Sequence, residues 1–104
     1  MIKVILVDDE KIALEELEYA LEQFDNVEVL KTFSDPLEFL KELPSHNPDA
    51  VFLDIEMPEV NGFVVCEEVL AQRPDTVIIF VTAYDEYAIK AFEANALDYV
   101  LKPV

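Results

Sequence analysis

The feature that most constrains the fold of this chain is a regular alternation of short apolar runs with stretches of helical periodicity. The apolar runs are rich in β-branched residues and predict strands at residues 2–7, 27–31, 50–53 and 77–81, with a weaker fifth strand at 97–101. The first and fourth runs are apolar at almost every position. Such runs are typical of parallel strands that are covered on both faces.

Each stretch between two apolar runs predicts one amphipathic helix. Asp35 is expected to cap the second helix, with Pro36 at its first position and Glu38 reaching back, and Asn61-Gly62 forms the turn before the third. The residues expected on the inward helix faces are, in chain order, Leu14, Leu17, Leu21 and Phe24, then Val65, Cys66, Val69 and Leu70, then Ala88, Ala91, Phe92 and Asn95.

This order of elements predicts an α/β fold, because consecutive parallel strands require right-handed helical crossovers. We expect a doubly wound, five-stranded parallel sheet with strand order 2-1-3-4-5 and helices on both faces. In such a sheet, ligands bind outside the carboxyl ends of the strands, at the point where the strand order reverses. That edge is therefore where a functional site is expected.

Length, charge and cysteine content exclude several classes of function. A chain of 104 residues forms one domain, and its net charge of −16 argues against direct contact with nucleic acid. A single cysteine excludes an intrachain disulfide, and the first apolar run ends at Asp8, too early for a signal peptide. The apolar runs are also too short to span a membrane. We expect a cytoplasmic protein.

Polar side chains follow four of the five predicted strands. Asp8 and Asp9 follow the first, Asp54 the third, Thr82 the fourth and Lys102 the fifth. Carboxylates that converge beside apolar strands repel one another unless a cation neutralises them. With oxygen ligands and no nearby histidine or cysteine, Mg²⁺ is the favoured ion. The sequence thus predicts a magnesium site beside a polar cluster.

At this point the whole chain resembles the receiver domain of bacterial two-component response regulators. The motifs that carry the resemblance are Asp8-Asp9-Glu10, Leu53-Asp54-Ile55-Glu56-Met57-Pro58, Asn61-Gly62, Val81-Thr82-Ala83 and Lys102-Pro103. Residues 83–99 are more narrowly similar to receivers joined to LytTR-type DNA-binding domains. The fold implied is flavodoxin-like.

The resemblance implies that Asp54 accepts a phosphoryl group from a sensor histidine kinase or a small acyl phosphate, in a domain that modifies only itself. Asp9 would bind Mg²⁺ directly and Asp8 through water, completed by Asp54 and the Glu56 carbonyl. Lys102, the Thr82 hydroxyl and the N–H groups of Ile55 and Ala83 would contact phosphoryl oxygens. Thr82 and Tyr99 would then repack the face formed by the fourth helix and fifth strand.

Two other functions remain open at the level of sequence. A Mg²⁺-dependent phosphatase with an aspartyl-phosphate intermediate would use similar chemistry, although such enzymes resemble one another in a second aspartate where this chain has Glu56. An interaction module that is never phosphorylated would not require the set Asp8, Asp9, Asp54, Thr82 and Lys102. A flavodoxin-like cofactor site is disfavoured, because the acidic residues after the first strand would repel a phosphate.

The resemblance also implies elements that follow Lys102-Pro103. Receivers ordinarily continue into a fifth helix, and their output domains lie outside residues 1–104. Without that helix, one face of the sheet would be half bare. We therefore expect this chain to associate, for example as a homodimer, or to be less stable than a longer form.

Overall fold

The computed structural model describes residues 1–103 and contains the predicted five-stranded parallel sheet, with strand order β2-β1-β3-β4-β5. The strands are β1 (Ile2–Val7), β2 (Val27–Phe33), β3 (Ala50–Leu53), β4 (Val77–Thr82) and β5 (Asp98–Leu101). The predicted α/β fold class and strand order are confirmed. β2 continues two residues beyond the prediction, because Thr32 and Phe33 pair with Leu6 and Val7 of β1.

Four α-helices connect the strands: α1 (Lys11–Glu22), α2 (Pro36–Glu42), α3 (Gly62–Gln72) and α4 (Ala88–Glu93). A short 3-10 turn, Leu43–Ser45, follows α2. The predicted helix starts are supported by side-chain caps. Asp35 accepts a hydrogen bond from the N–H of Leu37 at 2.9 Å, and Asn61 accepts one from that of Phe63 at 2.8 Å.

Three residues expected on inward helix faces lie elsewhere. Phe24 follows the end of α1 and is 58% exposed, and Phe92 is on α4 but is 61% exposed. Asn95 lies beyond α4 with φ of 68°, the left-handed conformation that asparagine tolerates after a helix end. The helix therefore ends before the 3.6-residue pattern does, and Ala91 and Ala96 take the buried positions.

The core has two layers of unequal size, one on each face of the sheet. On the larger side, residues such as Phe39, Val65 and Ala91 pack α2, α3 and α4 against the sheet. On the smaller side, Leu14 of α1 packs against Val4, Leu6 and Ala50, with Leu17 and Leu21 partly buried beside them. The doubly wound arrangement is thus present, but α1 alone covers its face within residues 1–103.

No helix within residues 1–103 is both long enough and apolar enough to cross a membrane.

Candidate functional site

Backbone hydrogen bonds place the predicted site residues at one edge of the sheet. The N–H of Asp8 donates to the Phe33 carbonyl at 3.0 Å, and that of Asp54 to the Val7 carbonyl at 3.0 Å. The N–H of Lys102 donates to the Thr82 carbonyl at 2.8 Å. The parallel ladder therefore continues one residue past β1, β3 and β5. These three side chains are held by the sheet itself and not by flexible loops.

The ammonium group of Lys102 lies among three carboxylates. Its Nζ is 2.8 Å from Asp8 Oδ2, 3.0 Å from Glu10 Oε1 and 3.3 Å from Asp54 Oδ2. Asp8 and Asp54 are almost completely buried, whereas the Glu10 side chain is 65% exposed. A buried acidic pair is thus neutralised in part by one lysine, with Glu10 closing the cluster on its outer side.

Burial and mutual repulsion alter the acidity of this cluster. Burial raises the pKa of Asp8, although its bond to Lys102 partly opposes that effect. Burial also raises the pKa of Asp9, and the neighbouring charge of Asp54 adds to the increase. Burial alone would lower the pKa of Lys102, but its hydrogen bonds to Asp8 and Glu10 outweigh that effect and raise it. Lys102 therefore stays protonated.

The structure adds Glu10 to the site, a residue to which the sequence analysis assigned no role. Carboxylate oxygens of Asp8, Glu10 and Asp54 all lie within 4.8 Å of one another. Glu10 is the residue immediately before α1, so its side chain leaves the chain where β1 turns into the helix. Its position directly after Asp8-Asp9 was the available signal. The sequence predicts no specific role for Glu10, because an exposed glutamate at this position is equally typical of a helix start.

Asp9 lies at the rim of the site. It lines an open cavity of about 430 Å³ together with Glu10, Asp54, Glu56 and Lys102. It is not one of the three residues whose carboxylate oxygens cluster within 4.8 Å. Its predicted direct contact with a metal ion therefore stays a prediction.

The loop after β3 carries Asp54 and is tied closely to the start of α3. The N–H of Ile55 donates to Asp54 Oδ1 at 2.7 Å, and the N–H of Gly62 donates to the Ile55 carbonyl at 2.8 Å. A Cβ atom on Gly62 would lie 2.1 Å from the Asp54 carbonyl oxygen. Only glycine permits this close approach, which explains the position of the single glycine of the chain.

The side chains of Thr82 and Tyr99 both contact the backbone of Tyr84. The Thr82 hydroxyl is fully buried and accepts a hydrogen bond from the Tyr84 N–H at 3.4 Å. The Tyr99 hydroxyl donates to the Tyr84 carbonyl. Ala83, which lies between Thr82 and Tyr84 in sequence, lines the open cavity. The sequence predicts that Thr82 and Tyr99 act together, and the structure adds Tyr84 as the residue that both contact.

The Glu56 side chain is engaged by a tyrosine from another element. The hydroxyl of Tyr87, the residue just before α4, donates to Glu56 Oε1 at 2.5 Å. This bond to a carboxylate, which stabilises the protonated phenol, raises the pKa of Tyr87 to about 12. Sequence reasoning assigned no role to Tyr87, since nothing in its immediate neighbourhood indicates a partner 31 residues away.

The donor set fits a hard divalent cation. Three carboxylates from Asp8, Glu10 and Asp54 offer only oxygen ligands and include two buried groups. Magnesium is bound in proteins by one or two carboxylates together with waters and phosphate oxygens. At the same edge, the buried Asp54 carboxylate contacts both the Lys102 ammonium and the backbone N–H of Ile55. That combination suits an anionic nucleophile and the charge that develops on a transferred phosphoryl group.

Comparisons with known proteins agree with this geometry. Residues 4–104 match the model of the family described as "Response regulator receiver domain". The "Sensory transduction protein LytT" of Bacillus anthracis is 45% identical over 103 residues, which is 99% of this chain and 42% of that protein. The chain thus spans about two fifths of that relative's length.

Solved structures show the same fold. The response regulatory domain of protein mrkE from Klebsiella pneumoniae has a TM-score of 0.90 and 38% identity, covering 99% of this chain and 84% of that one. The response regulator protein TrrA from Thermotoga maritima, in complex with Mg(2+)-BeF, has a TM-score of 0.87 and 36% identity. That match covers 99% of this chain and 88% of TrrA.

Proposed function

This chain belongs to the response regulator receiver domain family, and we propose on that premise that it is a signalling switch controlled by phosphorylation of Asp54. The observation that carries the proposal is the placement of Asp54. Its buried carboxylate lies at the carboxyl edge of the sheet, 3.3 Å from the Lys102 ammonium and beside the carboxylates of Asp8 and Glu10. A carboxylate in this setting can act as a nucleophile while its neighbours stabilise transferred negative charge.

In the proposed reaction, a carboxylate oxygen of Asp54 attacks the phosphorus of a phosphohistidine on a sensor histidine kinase. A bond from that oxygen to phosphorus forms as the phosphorus–nitrogen bond breaks, and the imidazole nitrogen keeps the electron pair. Lys102 and the N–H groups of Ile55 and Ala83 stabilise the charge on the phosphoryl oxygens. A small acyl phosphate serves in the same way, with a carboxylate as the leaving group.

We propose that Mg²⁺ is the cofactor of this site. Asp8, Asp9, Asp54 and the backbone carbonyl of Glu56 would hold it, as the family resemblance implies, and the position of Glu10 adds that residue. When bound, Mg²⁺ neutralises the carboxylate cluster and the charge of the phosphoryl group. Lys102 would still stabilise the phosphoryl charge beside the metal ion, because its ammonium group already bridges Asp8 and Asp54 at the same edge.

We propose that phosphorylation of Asp54 changes a partner-binding surface through Thr82 and Tyr99. A phosphoryl group on Asp54 carries about −1.5 to −2 charge in place of the single charge of the carboxylate, and its three acceptor oxygens attract the Thr82 hydroxyl. Thr82 and Tyr99 both contact the Tyr84 backbone, so movement of one disturbs the other. The face formed by α4 and β5 then repacks. This coupling is tested by the ring resonances of Tyr99, measured with and without beryllofluoride in wild type and in Thr82→Ala. The same Tyr99 response in both proteins would reject the coupling.

The surrounding protein is proposed from the relatives. The similarity to LytT supports a receiver joined to a LytTR-type output domain that lies outside residues 1–104 and controls transcription. DNA contacts would then belong to that output domain, since this chain has a net charge of −16. We place the switch in the cytoplasm, where a sensor kinase would reach it.

The central test is the site of modification. We expect acetyl phosphate with Mg²⁺ to add one phosphoryl group to the wild-type chain, detected by intact-mass analysis as a hydroxylamine-sensitive adduct. Asp54→Ala should accept none. Asp25→Ala, in the exposed turn before β2, is the matched control and should be modified like wild type. Equal modification of Asp54→Ala and wild type would refute the assignment of Asp54.

The same preparation separates a switch from a phosphatase. A receiver is modified about once per molecule and then stalls, whereas a phosphatase turns over p-nitrophenyl phosphate continuously. Such phosphatases resemble one another in a second aspartate two residues after the nucleophile, where this chain has Glu56. We therefore expect no sustained turnover.

A further inference from the structure

One hydrogen bond joins the loop that follows Asp54 to the start of α4. Glu56 lies two residues after Asp54, and Tyr87 immediately precedes α4. The Tyr87 hydroxyl donates to Glu56 Oε1 at 2.5 Å. This contact is separate from the one that Thr82 and Tyr99 make with the Tyr84 backbone. It gives the acidic cavity a second connection to α4.

The Tyr87 ring is held in place by its neighbours, so the hydroxyl position is determined by packing. The ring meets Phe63 of α3 edge-on, with centroids 6.0 Å apart, and Tyr84 at 6.1 Å. Phe63 in turn packs on the core residue Phe80, with centroids 5.0 Å apart. The bond to Glu56 therefore connects the cavity to a fixed aromatic cluster.

Apart from the packing of the Tyr87 ring and the Lys90 ammonium on Phe63, the start of α4 has no side-chain cap. This helix has six residues and no side-chain hydrogen bond at its N-cap. A helix of that length depends on tertiary contacts for its stability. The Tyr87 carbonyl accepts the N–H of Ala91 at 2.9 Å, so the first turn of the helix begins at the residue that Glu56 holds.

Charge in the cavity provides a way to break this bond. Glu56 lines the same open cavity as Asp9, Glu10, Asp54 and Lys102. Lys102 is the one basic residue among the described residues that line it, and it already contacts three carboxylates. A phosphoryl group would add further negative charge there. The Glu56 side chain is exposed and can move into water, unlike that of Asp8 or Asp54.

We propose that the Tyr87–Glu56 hydrogen bond is a latch that holds the start of α4 in the unmodified protein and opens when Asp54 carries a phosphoryl group. This inference rests on the proposed function for its trigger. Its first half concerns the unmodified chain alone. In that state the latch restrains Tyr87 and α4, and repulsion between the phosphoryl group and the Glu56 carboxylate releases them.

Three variants separate the acceptor charge, the hydroxyl and nonspecific effects. Tyr87→Phe removes the hydroxyl and keeps the ring that packs on Phe63. Glu56→Gln keeps an oxygen acceptor and removes the charge that a phosphoryl group would repel. Tyr19→Phe, on the exposed side of α1, removes the same atom at a distant site and is the matched control.

The first measurement is amide hydrogen exchange of Ala88–Glu93 in the unmodified protein. Tyr87→Phe should exchange faster by about threefold to tenfold, the effect of one lost hydrogen bond. Glu56→Gln keeps a weaker, neutral acceptor and should lie between wild type and Tyr87→Phe, whereas Tyr19→Phe should match wild type. Wild-type exchange rates in Tyr87→Phe, with the fold intact by far-UV circular dichroism, would overturn the latch whatever the fate of Asp54.

The second measurement adds beryllofluoride and Mg²⁺ as a stand-in for the phosphoryl group, with amide shifts of residues 54–56 as proof of binding. Wild-type α4 should then exchange like unmodified Tyr87→Phe, and Glu56→Gln should respond much less. Binding at residues 54–56 without faster exchange in wild-type α4 would overturn the proposed opening. Absence of binding in wild type would instead refute the proposed function, and the first measurement would still decide whether the bond restrains α4.

Discussion

Single residues at the carboxyl edge create an electrostatic conflict that a cation resolves. Asp8 and Asp54 are buried beside one another, and among residues 1–103 Lys102 alone supplies positive charge within 4 Å of both. Burial leaves Asp8 and Asp9 with raised pKa values. The raised pKa values lower the stability of the folded chain at neutral pH, and shifts of this kind are common at functional sites.

We expect the metal-free protein to lose stability as pH rises, and Asp9→Asn to reduce that loss. Because the pKa of Asp9 is raised in the folded chain above its ordinary value of 3.8, the folded state binds the proton more tightly than the unfolded state. The free energy of unfolding therefore falls as pH rises above 3.8 through the raised pKa. Urea denaturation in EDTA at several pH values measures this slope.

Asp25→Asn, in the exposed turn before β2, is the control and should leave the slope unchanged. A slope in Asp9→Asn as steep as in wild type would contradict the assigned role of Asp9 in the conflict.

At the scale of elements, the site depends on how closely α3 approaches the loop after β3. The Gly62 N–H bonds the Ile55 carbonyl, and the Gly62 Cα faces the Asp54 backbone without room for a side chain. This approach places the loop from Asp54 to Glu56 between the sheet edge and the helix. The orientation of the Asp54 carboxylate is thus supported by α3 as well as by β3.

Gly62→Ala is expected to destabilise the protein by about 2 kcal/mol or more, at the upper end of the usual cost of overpacking. Its Cβ would lie 2.1 Å from the Asp54 carbonyl oxygen and 2.8 Å from the Ile55 Cα, so backbone must move. Chemical denaturation measures the change. Glu67→Ala, on the exposed face of the same helix, should stay within about 0.5 kcal/mol of wild type. Equal stability of Gly62→Ala and wild type would show that the loop yields freely.

The whole molecule has unequal cover on its two faces. Three helices pack on one side, whereas α1 alone packs on the other in residues 1–103. Successive side chains of a strand point to opposite faces of the sheet, and Val51, Ile78 and Phe80 point into the larger core layer. Their neighbours Phe52, Val77 and Ile79 therefore lie on the α1 side, where they remain partly exposed. Aliphatic and aromatic groups of a central sheet are thus accessible to water.

We expect these 104 residues to self-associate through the partly exposed side chains of Phe52, Val77 and Ile79, and to do so more strongly at high salt. The net charge of −16 keeps copies apart at low ionic strength, and salt screens this repulsion without hydrating the apolar groups. Light scattering across a salt series, with a hydrophobic dye as a second readout, measures the effect. Ile79→Thr should lower both signals, whereas Ile12→Thr, at an exposed position of α1, should change neither. A monomer at every salt concentration with no dye binding would refute this expectation.

The fold class, the strand order and the edge that carries the site are all predictable from the sequence. Apolar runs separated by helical stretches leave few topologies, and parallel strands bring their carboxyl ends together whatever the loops do. Asp8, Asp54, Thr82 and Lys102 could therefore be assigned to one edge without coordinates, and the structure places them there. The inward positions of Phe24 and Asn95 were wrong, because periodicity does not show where a helix stops, and Phe92 lies within α4 but on its exposed side.

Polar contacts between residues of different elements become visible only in the tertiary structure. Three such contacts are the bond between Tyr87 and Glu56, the meeting of Thr82 in β4 and Tyr99 in β5 at the Tyr84 backbone, and the approach of Glu10 to Lys102. These contacts depend on rotamers and loop paths that are selected by packing across the whole chain. Periodicity records which face of an element is buried, and it carries no information about which distant side chain a polar group will meet.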